Sequence, residues 1–131
     1  MTEQEKTEKI TINLGLVDLG QIDLLVQEGF YTNRTDFIRT AIRNQLTTHA
    51  DVVKRMVAHK TLILGMQQYT RSDLEAVRLA GEKLQISVLG LVSIAEDVSP
   101  ELALATIASI EVLGAFRASA AVKAALAGRL K

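Results

Sequence analysis

The chain has 131 residues, 48% of them hydrophobic but only 4% aromatic, with 15 basic residues balanced by 15 acidic ones. That length allows one or two small domains, with a core built from Leu, Ile, Val and Ala rather than from rings. The absence of cysteine excludes disulfides, thiol catalysis and thiolate metal sites, and no apolar run is long enough to span a membrane.

Residues 1–8 are polar and lack the apolar stretch of a signal peptide, so they read as a mobile arm of a cytoplasmic protein. Residues 9–14 then alternate strictly. Ile10, Ile12 and Leu14 face one way, and Lys9, Thr11 and Asn13 face the other. This predicts one short strand, closed by Gly15. Leu16, Leu19, Ile22, Leu25 and Val26 follow at helical spacing as far as Gly29, which can take the left-handed conformation that ends a helix. Asn33 is a good N-cap for a second helix, and Asp36 three residues on makes a capping-box-like pair with it. Phe37, Ile38, Ala41, Ile42 and Leu46 supply that helix's apolar stripe. A lone strand leaves its backbone groups unpaired. The economical partner is the same strand of a second copy, antiparallel across a two-fold axis.

On Lys9–Leu14 and on Tyr31–Arg39, residues 9–46 resemble a ribbon-helix-helix DNA-binding domain, the class of the Arc and methionine repressors and the CopG-like regulators. The resemblance covers about a third of the chain. It implies a β-α-α fold that forms an intertwined dimer, whose paired ribbon enters the major groove of double-stranded DNA. The base-contacting positions implied are Lys9, Thr11 and Asn13. The implied phosphate clamp is the turn Thr32, Asn33, Arg34 and Thr35, where helix-start amides face outward. The implied dimer core is Ile10, Ile12, Leu14, Phe37, Ile38 and Ile42. Gly15 departs from the proline that many members carry before the first helix. Charge also departs from expectation, because residues 1–50 hold five basic side chains against seven acidic ones, net −2. A DNA-binding domain usually carries a basic footprint. Lys9 and Arg34, with Arg39, would have to supply it here.

Beyond residues 9–48, residues 49–60 read as a connecting helix, with a kink or break near the weak helix formers Thr47 and Thr48. His49 and His59, without cysteine or clustered carboxylates, make a poor metal site, so no metal or other cofactor is expected.

Residues 61–131 contain an internal repeat. Leu62–Met66, Ile86–Leu91 and Ile110–Ala115 align, with glycines 65, 90 and 114 spaced by 25 and 24 residues. Each segment reads as a strand followed by a helix. The helix starts are marked by Ser72, by Ser99 before Pro100, and by Ser119. The expectation is a three-unit β-α module with a parallel sheet, ladders Ile63/Val88/Val112 and Gly65/Gly90/Gly114, and right-handed crossovers. Helices would cover one face, leaving Leu64, Leu89 and Leu113 as an apolar stripe on the other, an assembly interface. The overall fold class is therefore α+β.

No catalytic constellation is present. Glu96–Asp97 are adjacent and point apart, and no glycine-rich phosphate loop occurs. The sequence points to a non-enzymatic, sequence-specific transcriptional regulator, in the first instance a repressor. It would be an obligate homodimer, assembling to a tetramer or higher or sensing a small-molecule effector through residues 61–131. The alternative is an interaction protein, or an antitoxin that binds a protein partner, in which the ribbon mainly dimerises.

Overall fold

A computed structural model describes residues 7–131; residues 1–6 of the expected polar arm lie outside the described residues. The described chain is α+β, with six α-helices and a three-stranded parallel sheet. It divides into two compact units, residues 7–56 and 57–131.

In the first unit, α1 (Leu16–Gln27) ends in a Schellman turn. The Phe30 amide donates to the Leu25 carbonyl, the Gly29 amide to that of Val26, and Gly29 sits at φ +87. Asn33 then caps α2 (Arg34–Thr48), its side chain accepting from the Asp36 amide at 2.8 Å. The expected reciprocal bond is displaced by one residue. The Asp36 carboxylate takes the amide and hydroxyl of Thr32, at 2.9 and 3.2 Å, rather than the Asn33 amide. Tyr31 and Phe37 meet edge to face across this turn, with centroids 5.0 Å apart. The break after α2 falls at His49. Just before it, Thr47 and Thr48 turn their hydroxyls back onto the Arg43 and Asn44 carbonyls, which slightly destabilises a helix end. α3 (Ala50–Lys60) follows.

Residues 7–15 form no β-ladder with other described residues, so of the β-α-α order expected of the N-terminal segment the described chain shows the two helices. The physical reason is that a strand needs a hydrogen-bonded neighbour, and among the described residues the sheet pairs only β1, β2 and β3 with one another. Ile10 is 75% exposed and Ile12 60%, and Ile22 is the single buried hydrophobic residue among those described before residue 57.

The second unit follows the repeat. β1 (Ile63–Tyr69), β2 (Leu84–Ile94) and β3 (Ile107–Arg117) lie side by side in that order, all parallel. The register sets Ile63 beside Val88 and Val88 beside Val112, and aligns Gly65, Gly90 and Gly114, as the repeat predicts. α4 (Arg71–Leu79), α5 (Pro100–Thr106) and α6 (Ala120–Leu126) cover one face. Leu74, Leu102, Val122 and Leu126 from the helices and Ile86, Val88, Val92, Ile94, Ile107 and Ile110 from the strands form one buried cluster. Ser99 and Ser119 cap α5 and α6 as expected. The cap of α4 is Thr70, not Ser72. Thr70 and Asp73 exchange bonds of 2.9 and 3.1 Å in a full capping box, which holds the Asp73 carboxyl below its usual range. The helix therefore begins one residue before Ser72. At the carboxyl ends of the strands a depression of about 360 Å³ is lined by Gln68, Ser93, Glu96, Arg117 and Lys123 among others.

Candidate nucleic-acid interface

The first unit presents two groups of side chains that the DNA reading invokes. Lys9, Thr11 and Asn13 are all exposed, and so are their alternating neighbours Ile10, Ile12 and Leu14. The single chain therefore buries neither row of the segment. Of the other expected dimer-core residues, Phe37 and Ile38 are half-buried, whereas Ile42 is exposed.

The second group gathers at the start of α2. The first amides of a helix have no intrahelical acceptor and carry the positive end of its dipole. Asn33 and Asp36 occupy the amides of Asp36 and Thr32. The amides of Arg34 and Thr35, at the first two helical positions, meet no acceptor among the described residues. Thr32, Asn33, Thr35 and Asp36 line a depression of about 270 Å³ together with Arg39 and Arg43. Arg39 and Arg43 lie one turn apart on one side of α2, and among the described residues no carboxylate pairs with either. The sequence reading does not single out Arg43, although its i, i+4 relation to Arg39 is a readable signal.

Arg34 is placed differently from its neighbours. Its guanidinium forks onto the carboxylate of Asp23 in α1, with Nε–Oδ1 2.7 Å and Nη2–Oδ2 2.8 Å. This bidentate pair ties α1 to α2 across the turn. The hydrogen bonds, with the charge of the guanidinium, hold the Asp23 carboxyl below its usual range and raise Arg34 further. The pair sets the half-exposed Arg34 side chain against α1, whereas Arg39 and Arg43, farther along α2, meet no carboxylate partner among the described residues.

A pH dependence follows. Because the folded Asp23 carboxyl titrates below its ordinary value of 3.8, the pair contributes stability above that value and loses it as pH falls through the depressed folded value. Acid titration followed by NMR shifts of the α1–α2 turn is expected to show loosening only below pH 3.8, and Asp23→Asn to remove that step. A turn equally ordered in Asp23→Asn and in wild type at every pH would show that the pair does not hold the helices.

Among the described residues, no group of three or more His, Asp or Glu side chains could hold a metal ion. No helix among them is long and apolar enough to cross a membrane.

Over 49 residues the chain is 39% identical to an uncharacterized protein of Methanocaldococcus jannaschii, an alignment covering 37% of this chain and 50% of that protein. The chain thus spans about half the length of the curated relative it matches. No solved structure matches the chain. The profile of the ribbon-helix-helix transcriptional regulator family matches residues 5–123, which include the hairpin α1–α2 and nearly all of the β-α module. The chain belongs to the ribbon-helix-helix transcriptional regulator family.

Proposed function

We propose that the protein is a dimeric, sequence-specific transcriptional repressor whose residues 9–14 pair with those of a second copy and enter the major groove. The observation that carries this is the exposure of Ile10, Ile12 and Leu14 on a unit with a single buried side chain, Ile22, among the described residues. A unit so poorly buried cannot offset the entropy of ordering its chain. An antiparallel two-fold ribbon buries the three apolar side chains against Phe37, Ile38 and Ile42 and turns Lys9, Thr11 and Asn13 outward. Thr11 and Asn13 then read base edges, with Lys9 beside them. The amides of Arg34 and Thr35, flanked by Thr32 and Asn33 and backed by Arg39 and Arg43, hold a backbone phosphate. The Arg34 side chain, half-exposed in its pair with Asp23, stands at the same turn and joins the phosphate contact.

The β-α module serves this reading as a device for assembly or for sensing. Its open face carries Leu64 and Leu113 exposed, with Leu89 half-buried between them, an apolar strip that suits joining dimers into tetramers. Two linked dimers on adjacent sites would compensate for the weak net charge of residues 1–50. The depression at the carboxyl ends of the strands is where an open parallel sheet usually takes a small effector.

Selection of bound DNA from a random pool, followed by titration against the selected site, tests the proposal. Thr11→Ala and Asn13→Ala are expected to change the preferred sequence, each base pair no longer read costing about 1–3 kcal/mol. Arg39→Ala and Arg43→Ala are expected to weaken all sequences alike and to flatten the salt slope by about one for each phosphate left unneutralised. An unchanged preferred site in the Thr11→Ala/Asn13→Ala double variant would remove base readout by this face. Absence of any selected DNA would leave the chain a protein-binding or toxin-neutralising partner.

A further inference from the structure

The two edges of the C-terminal sheet are not protected alike. Native sheets blunt exposed edges with charges, proline, bulges or a covering segment, because a bare edge templates pairing with another chain. β3 uses two of these devices. Leu130 bridges to Ile110 in parallel, and the Lys131 amide donates to the Ile110 carbonyl at 2.9 Å. The strand also carries Glu111 and Arg117. Among the described residues β1 uses none of them. Its sequence, Ile-Leu-Gly-Met-Gln-Gln-Tyr, has no charge and no proline, and it pairs with β2 in unbroken register. Among the described residues no strand pairs with its outer side.

The apolar side chains mark the same edge. Leu64 is 69% exposed, and Ile63 and Met66 are exposed beside it. Their register partners on β2, Val88 for Ile63 and Leu91 for Met66, are buried because a strand flanks them on each side. Gly65 adds a third sign. It shares the positive φ of Gly90 and Gly114, each of which packs onto the carbonyl of the glycine in the preceding strand. At Gly65 nothing lies within 4 Å of the corresponding position.

We propose that β1 pairs antiparallel with β1 of a second copy, fusing two three-stranded sheets into one of six strands. The occupant follows from three facts. The family to which the chain belongs dimerises, so two identical β1 strands reside in one particle and meet at high effective concentration. Identical strands related by a two-fold axis normal to the sheet pair antiparallel and complement themselves. Head-to-tail addition of β3 to β1 is opposed by the Leu130 bridge and the charges on β3. The pairing also keeps both open faces on one side, so Leu64 and Met66 of the two copies form one continuous apolar strip. The inference goes beyond the DNA-binding reading and requires only a second copy.

The chain contains no cysteine, so each introduced thiol is unique. Single cysteines placed in turn at residues 63–69 of the full chain, then mildly oxidised, test the pairing. In an antiparallel self-pair only residues at the axis lie opposite their own copies, within disulfide reach. Covalent dimer is therefore expected at one position near the middle of the strand, falling away on both sides. Efficient cross-linking of Leu89→Cys and Leu113→Cys, with none along β1, would mean that copies meet face to face and would overturn the proposal. No cross-link at any β1 position in a protein that scattering shows to be dimeric would overturn it too, while leaving pairing through residues 9–14 intact. Amide exchange of the unaltered protein is the second readout. The outward amides of β1, every second residue, are expected to exchange as slowly as those directed at β2, and exchange at least about tenfold faster would mean a bare edge.

Discussion

Gly90→Ala is expected to unfold the β-α module while leaving α1 and α2 helical. Gly90 sits at φ +141, a region that residues with a Cβ rarely adopt, and occupying it costs about 1–3 kcal/mol. The new Cβ would also overlap the Gly65 carbonyl oxygen and stand 2.9 Å from its carbonyl carbon. That neighbour is backbone inside a parallel ladder, so relief requires β1 to move off β2, and such overpacking costs about 1–3 kcal/mol more. The sum is a large part of the stability of a small domain. Gly65→Ala is the matched control. It has the same kind of positive φ, +128, but within one copy no described atom lies within 4 Å of its Cβ position, so the clash inside the sheet is absent and the backbone cost remains. Denaturant unfolding followed by circular dichroism separates the two. Equal loss at both positions would mean that backbone conformation alone demands glycine. No loss at Gly90 would mean that the glycine ladder is not packed as described.

Ile12→Asp is expected to abolish dimerisation, the fold of residues 9–48 and DNA binding together. In the single chain Ile12 is 60% exposed, and a substitution at such a site ordinarily changes stability by no more than about 0.5 kcal/mol. In a two-fold ribbon the same position is central and dry. Each dimer would then bury two unpaired carboxylates, at a cost of several kcal/mol, far beyond what the hairpin's lone buried Ile22 can offset. Small-angle scattering, circular dichroism and DNA titration on the full chain measure the three losses. A variant that remains dimeric and binds DNA would place residues 9–14 outside the dimer core. The β-α module, with its own buried cluster, is expected to stay folded in this variant, so loss of the N-terminal signal is not general unfolding.

Local patterns in the chain determined a good deal. The recurrence of Ile, Val and Leu before glycines 65, 90 and 114 specified three parallel strands and their register, because a repeat places equivalent residues at equal heights. Gly29, Asn33, Ser99 and Ser119 marked helix ends through bonds that span at most five residues. The alternation of residues 9–14 is just as plain. Yet it yields no strand in one copy, since a ladder needs a second backbone and no described segment supplies one. Tertiary structure decided what depends on distant partners. Arg34 lies on the turn that the resemblance implies holds phosphate, and folding also pairs it with Asp23 at 2.7 Å, eleven residues away, a contact that no local pattern announces. Arg39 and Arg43, farther along α2, meet no carboxylate among the described residues. Ser72 gave way to Thr70 because the capping bonds and the end of β1 together choose where α4 begins. The difference between the sheet's two edges also belongs to the folded molecule: a turn of chain 20 residues beyond Ile110 returns Leu130 to β3, and no described segment returns to β1. Periodicity and capping act over a few residues and can be read in order, whereas ion pairs, edge protection and burial are settled only when segments far apart in the chain meet.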